Sequence, residues 1–233
     1  LSAPSLALIP ARGGSKRLPR KNILPFGGRP MLSWAVLTAR DSGVFDRILV
    51  TTDDEEIAAI ARSENADVLM RPREVSDDAA TLADVIHHAM AACGREVARF
   101  CLLPPNCPLR EASDIVASRD AFLKRRPPAL LSVTSYAWTP PFRAQSAVEG
   151  RLAPYFAEWA DKKSQYYPQV VCPSGAIYWS TPEAIAGARD LYLPGIEGYP
   201  LAWHRAIDID TFEDYQIARS VRHAIDHGFS FET

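Results

Sequence analysis

Apolar and polar positions switch repeatedly between the two-residue period of strands and the 3.6-residue period of helices up to Ser135. Residues 5–10 (SLALIP) form a short apolar run ended by Pro10, which predicts a buried strand. The Gly- and Pro-rich stretch 11–30 reads as a loop. Residues 31–42 predict a helix closed by Gly43. Residues 47–51 (RILVT) predict a second strand, 53–65 a helix with Ile57, Ile60 and Ala61 on one face, and 67–70 a short third strand. Within 81–93, Leu82, Val85, Ile86, Ala89, Met90 and Cys93 recur at helical spacing. Residues 100–103 predict a fourth strand ending at Pro104 and Pro105, 113–124 a helix, and 129–135 a fifth strand. Strands and helices taken in turn predict an α/β fold: a Rossmann-like single domain over residues 1–233, with a mostly parallel sheet covered on both faces.

Beyond Ser135 the pattern breaks. Residues 138–173 are rich in aromatics and proline, with Trp138, Phe142, Tyr155, Phe156, Trp159, Tyr166 and Tyr167 close together. Such a segment reads as an excursion from the sheet. Aromatics of this density are enriched at interface cores, so a homodimer is expected through it; the alternative is a lid over the chain's own site. Residues 175–180 (GAIYWS) return as a strand. Residues 206–210 (AIDID) predict another, whose alternation puts Asp208 and Asp210 on one face. The last helix, 211–227, is capped by Thr211 and has Ile217, Val221, Ala224 and Ile225 as its expected buried stripe.

Composition narrows the class. The chain has 233 residues, 47% hydrophobic and 23% charged, which is ordinary for a globular protein. No apolar run approaches the roughly 18–20 residues that span a bilayer, so no membrane association is expected. The start, LSAPSLALIP, lacks Met and a basic region and reads as a trimmed start, not an intact signal peptide. Four cysteines without a CxxC pair read as reduced thiols of a cytoplasmic protein. The net charge of −2 conceals an asymmetry: residues 1–40 hold seven basic side chains and no acid, and the remainder has 19 bases against 28 acids. A nucleic-acid coat would spread its positive charge over a wider face. One short basic segment fits a compact polyanion such as a nucleoside triphosphate, or else a solvated loop.

The chemistry concentrates in residues 9–22, IPARGGSKRLPRKN. Here a predicted strand delivers the chain into a loop where Gly13 and Gly14 would let backbone N–H groups approach a phosphate. Arg12 can grip phosphate oxygens in a fork, and Lys16 and Lys21 add point charges. The string is neither a Walker loop nor GxGxxG. It does resemble the signature of cytidylyltransferases that activate nine-carbon sialic-acid-type sugars, the CMP-acylneuraminate synthetases and their nonulosonic-acid relatives. The resemblance continues in order through FDRILVTTDD (45–54), Arg71-Pro72, Ser76-Asp77-Asp78, Leu102-Leu103, Pro108-Leu109-Arg110, GAIY (175–178) and IDIDT (207–211).

The resemblance implies transfer of CMP from CTP to the anomeric hydroxyl of an acidic nine-carbon 2-keto sugar, with release of pyrophosphate. It implies that Arg12, Lys21 and Asp210 are catalytic, and that Ala11, Arg12, Gly13, Lys16, Lys21, Asn22, Arg71 and Thr81 bind the nucleotide. Asp208 and Asp210 would hold Mg²⁺; without the resemblance, the preferred reading is acids at a strand end that cap the following helix. Arg143, Lys163 and Gln165 are the sugar-side candidates, set on a segment that reaches the partner's site in relatives. Asp77 and Asp78 are expected to cap the next helix, His87 and His88 to pack, and Cys107 to be inert.

Some positions depart from the family pattern. Pro104 stands where many members have Gln, Ser164 where an Arg is common, and Ser174 where an Asn often precedes the Gly. These lie on the sugar side in relatives. They leave open another sugar nucleotidylyltransferase of Kdo type, or a catalytically silent nucleotide-binding protein on the same fold.

Overall fold

The computed structural model describes residues 3–77, 79–136 and 139–231. Within them, strands β1 (Ser5–Pro10), β2 (Arg47–Thr52), β3 (Asp67–Met70), β4 (Arg99–Leu102), β5 (Ala129–Ser135), β6 (Val171–Ser180) and β7 (Glu197–Pro200) form one sheet. Its order is β7-β5-β6-β4-β1-β2-β3. β1 runs parallel to β2 and β4, β2 to β3, and β5 to β7, whereas β6 is antiparallel to both β4 and β5. The expected mostly parallel α/β sheet is what forms.

Both faces of the sheet are covered. Ala7 and Ile9 of β1 pack with residues of α1 (Met31–Ser42), α2 (Glu55–Ser63) and α4 (Ala112–Arg125). Leu6 and Leu8 pack on the opposite side with α3 (Leu82–Cys93) and the single turn α5 (Pro182–Ile185). All four side chains are buried. A strand buried on both faces carries no polar alternation, which is why 5–10 reads as a continuous apolar run.

Local signals placed the helix ends well. Gly43 closes α1 in the left-handed region, at φ 63°. Asp54 caps α2 by accepting the amides of Glu56 and Ile57. Thr81 and Asp84 form a capping box on α3, so the expected cap by Asp77 is corrected; Asp77 accepts the amides of Ala79 and Ala80 in the preceding turn. Asp78 lies outside the described residues.

Two expectations fail. Residues 206–210 are not a strand: the segment is extended, and Ile209 N donates to Asn106 O at 2.8 Å, but it joins no ladder. The sheet edge is taken by β7, whose sequence EGYP carries no strand pattern. The last helix, α6 (Phe212–Asp226), also packs differently from its expected stripe. Tyr215, Ala218 and Val221 are buried, while Ile217 is 49% exposed. The reason is its partner. α6 packs on Leu18, Phe26 and Met31, away from the sheet, and Tyr215 donates its hydroxyl to Pro25 O.

The excursion forms a two-stranded ribbon, Gln145–Val148 with Arg151–Pro154, followed by single helical turns. Phe142 contacts Phe156, Trp159 and Tyr167 at centroid distances of 5.9, 5.2 and 5.3 Å, a small cluster of its own. Tyr155, Tyr166, Leu152 and Val148 stay largely exposed. Its last residues belong to β6, which begins at Val171, four residues before the expected start. Trp138 lies outside the described residues. No helix among the described residues is long and apolar enough to cross a membrane.

Candidate active site

The basic loop leaves β1 at Pro10 and is latched to the start of α2. Ala11 is buried, and its N–H donates to Thr51 O at 3.0 Å. Gly13 N donates to Asp53 Oδ1 at 2.9 Å. A Cβ on Gly13 would sit 2.7 Å from Asp54 Oδ2, closer than side-chain atoms approach. Its glycine is therefore required by the Asp54 carboxylate; a Cβ on Gly14 would meet nothing. Arg20 closes the latch by pairing with both Asp54 and Glu56. The Arg20 hydrogen bond holds the Asp54 carboxyl below the usual carboxylate value, helped by the two capped amides against the opposing effect of burial. Asn22 is buried and donates Nδ2 to Arg12 O at 2.9 Å, which fixes the loop backbone under the arginine.

A cleft of about 430 Å³ opens along the edge of the sheet where β1, β3 and β4 end and β6 turns. Arg12, Lys16, Arg17 and Lys21 line one side of it. Asp208 and Asp210 face them, together with Asn106 and Gly175. Lys21 Nζ lies 2.7 Å from Asp210 Oδ1, and Arg17 Nη2 lies 2.6 Å from Asp210 Oδ2. Burial pushes the Asp210 pKa up, but the hydrogen bonds and charges of Lys21 and Arg17 outweigh it and leave the carboxyl below its ordinary value. Asp208 accepts a hydrogen bond from Asn106 Nδ2. Crowding by surrounding protein, and next the Asp210 carboxylate, push the Asp208 pKa up to about 6, although its surface still meets solvent.

Two buried devices shape this edge. The β6 register shifts between Pro173 and Tyr178, and Gly175 there has φ +69°. A Cβ on Gly175 would lie 3.6 Å from Asp208 Oδ2. Ser132 and Ser174 share a 2.7 Å hydroxyl bond, and Ile177 N donates to Ser132 Oγ at 2.9 Å, so the irregular backbone keeps its partners. Ser174 thus serves the bulge. Arg110 is buried and donates to Pro104 O at 2.8 Å and to Ala176 O at 3.0 Å, tying the β4 exit to β6.

Arg71 enters the cleft from the end of β3. It is 9% exposed, and its Nε and Nη2 have no hydrogen-bond partner among the described residues. Asp53 Oδ1 is 3.9 Å from Nη2. Burial pushes the Arg71 pKa down; Asp53 pulls it back and Arg12 adds to the depression. A buried guanidinium with unspent donors is poised for an acceptor brought by a ligand.

The fold thus gathers Arg12, Lys16, Lys21, Asn22, Arg71, Thr81, Asp208 and Asp210 around one cleft. Ala11 and Gly13 support it from outside its lining. Arg143, Lys163 and Gln165 are exposed on the excursion and do not line the cleft of their own chain. Because 206–210 is no strand, Asp208 and Asp210 owe their common orientation to an extended segment anchored by the Ile209 amide and by burial of Ile209. His87 packs by bonding Ile185 O, and Cys107 is buried with its thiol pKa pushed up by that burial.

Sequence reasoning passed over Arg17, Asn106, Asp53 and Asp54 as site residues. The available signal was position: each lies just beyond the carboxyl end of β1, β2 or β4, where open α/β sheets bind ligands.

The donor set also fits a hard divalent cation. Asp210 is paired with Lys21 and Arg17, whereas Asp208 beside it has a raised pKa; a divalent cation would neutralise Asp208 and free the two basic groups for phosphate, and a bound triphosphate would complete an all-oxygen shell. Among the described residues no group of three or more His, Cys, Asp or Glu could hold a metal without such help. Cytidylyltransferases of this fold commonly use a divalent metal.

Comparison with known proteins agrees with this geometry. A family model described as Cytidylyltransferase matches residues 6–115. The chain is 30% identical to the pseudaminic acid cytidylyltransferase of Campylobacter jejuni, covering 97% of this chain and 99% of that one. It is 28% identical to an N-acylneuraminate cytidylyltransferase of Streptococcus agalactiae, over 90% of this chain and 51% of that longer protein. In fold it is similar to CMP-2-keto-3-deoxy-manno-octonic acid synthetase solved with CTP, with a TM-score of 0.72 at 16% identity, over 95% of this chain and 99% of that one. The cation-lined loop, the facing carboxylates and a full-length match of this kind place the chain among the enzymes of the acylneuraminate and nonulosonic acid cytidylyltransferase family, to which it belongs.

Proposed function

We propose that the protein transfers CMP from CTP to the anomeric hydroxyl of a nine-carbon 2-keto acid sugar. The observation that supports this most directly is one cleft lined by four cationic side chains and two adjacent carboxylates, with Arg17 and Lys21 paired to Asp210. The anomeric oxygen attacks the α-phosphorus and its proton passes to solvent, while the bond to the β-phosphate-bridging oxygen breaks and its electron pair leaves on pyrophosphate. Catalysis of this kind is chiefly positioning and charge stabilisation. Arg12 and Lys16 neutralise the charge that grows on the leaving pyrophosphate. Lys21 exchanges Asp210 for the α-phosphate oxygens. Arg71 spends its unpartnered donors on the nucleotide, beside Thr81. Asp208 and Asp210 would hold Mg²⁺, which supplies Lewis acidity at the phosphates.

The protein acts as a homodimer in the cytoplasm, where its nucleotide is available. The exposed apolar side chains of the 145–154 ribbon, with Tyr155 and Tyr166, supply the contact. Arg143, Lys163 and Gln165, which miss their own cleft, meet the acidic sugar in the partner's.

Pyrophosphate release tests the reading. CTP, Mg²⁺ and a nonulosonic acid should give rapid release that chelator abolishes and that UTP, GTP and ATP do not support. Release with an eight-carbon acid sugar but with no nine-carbon one would overturn it, as would CTP binding without turnover across the panel. Sedimentation at micromolar concentration should give a dimer whose activity falls on dilution, and a fully active monomer would remove the shared-site assignment.

A further inference from the structure

We infer that the β4–β6–β5 end of the cleft selects a nonulosonic acid whose far end carries a methyl group and acylamino substituents over one that ends in a free glycerol chain. This rests on the reading above.

The order of the sheet lays out the cleft. Arg71 follows β3 and the basic loop follows β1, so the nucleotide occupies the β3–β1 side. Asp208 stands at Asn106 and Gly175, where β4 and β6 meet the cleft, and Asp210 stands against Lys21 and Arg17 of the basic loop. The second reactant must approach the α-phosphate from beyond them, over β4, β6 and β5.

The floor there is apolar but for the buried Tyr178 hydroxyl, which has no hydrogen-bond partner among the described residues. Tyr178 is the register partner of both Leu102 and Leu131. Side chains of paired residues point to the same face, so the three stand in a row across the sheet. All three line the cleft, and Leu191 joins them from the loop after α5. The rim is formed by Pro104 and Pro105, which have no backbone N–H to donate. The Pro104 carbonyl is already taken by Arg110 at 2.8 Å.

Such a surface treats the two sugar classes differently. A glycerol tail brings three hydroxyl groups, more than the few polar groups at this end of the cleft can partner, so it loses more water-made hydrogen bonds than it regains. A methyl-terminated acid replaces one of these hydroxyls with a methyl and another with an acylamino group; its amide still carries polar atoms, but the two methyls add apolar area whose burial is favourable. Discrimination by an apolar wall is modest per group, so the preference in kcat/KM is roughly tenfold or more.

The test compares kcat/KM for pyrophosphate release with CTP and Mg²⁺ across three sugars. Two are diacetamido, methyl-terminated nonulosonic acids of pseudaminic and legionaminic configuration, and the third is N-acetylneuraminate. At least one methyl-terminated acid should exceed N-acetylneuraminate by about tenfold. Leu191→Gln and Pro104→Gln should each narrow that ratio with the KM for CTP unchanged, whereas Leu191→Met should preserve it. The wild-type ratio decides on its own if a variant fails to fold. A ratio near one, or one favouring N-acetylneuraminate, overturns the inference and leaves the nonulosonic acid reading standing. No release with any of the three overturns both.

Discussion

Replacing Arg71 with Met separates binding from stability, because the side chain is buried yet under-used. Met keeps much of the length and apolar character of the stem while removing the charge. Two terms act on the folded protein. Keeping a guanidinium away from water costs several kcal/mol. Asp53, 3.9 Å away, returns about 4 kcal/mol at an effective dielectric of about 20. The terms nearly cancel, and no hydrogen bond from Nε or Nη2 is lost. Arg71→Met should therefore leave stability within about 1 kcal/mol of the parent, a Tm change of roughly 2–4 °C for a chain of this size. Nucleotide binding has no such compensation. Hydrogen bonds from a charged donor contribute about 1.5–3 kcal/mol, so CTP affinity should fall roughly 10- to 150-fold. Calorimetric titration with CTP and Mg²⁺, beside thermal unfolding of both proteins, reads the two quantities. If affinity stays within about threefold while Tm falls by more than about 6 °C, Arg71 is a structural pillar and the assignment is wrong.

Two further predictions concern the latch between the basic loop and α2. Gly13→Ala forces Asp54 away from its cap and from Arg20, so the protein should lose about 1–2 kcal/mol in urea unfolding. Gly14→Ala, with nothing within 4 Å, should be close to neutral, and equal losses at the two glycines would refute the account. The depressed Asp54 pKa gives the Arg20 contact a pH signature. Its stabilisation is complete above the unfolded value of 3.8 and is lost as pH falls through the lower folded value. The stability gap between the parent and Arg20→Ala should therefore be largest near neutral pH and narrow in acid, and a gap that does not change with pH would contradict it.

What the sequence determined by itself is local. Gly43 ends α1, Asp54 and Thr81 start α2 and α3, and the unbroken apolar run 5–10 announces a strand buried on both sides. Caps and periodicity act over a few residues, so they survive without knowledge of neighbours. The basic loop was legible for the same reason, since its glycines and cations are adjacent in the chain. Tertiary structure decided the rest. Whether 206–210 or Glu197–Pro200 lies at the sheet edge depends on which backbone finds β5, and apolar alternation alone pointed to the wrong one. Gly13 is required by a carboxylate on another element, a reason that its own loop sequence does not show. Asp210 meets Arg17 and Lys21 from 193 and 189 residues away, and the floor formed by Leu102, Tyr178 and Leu131 exists only through strand register. Ion pairs and apolar rows between distant segments follow from strand order, which short-range patterning leaves open and which burial of both faces of the whole sheet settles.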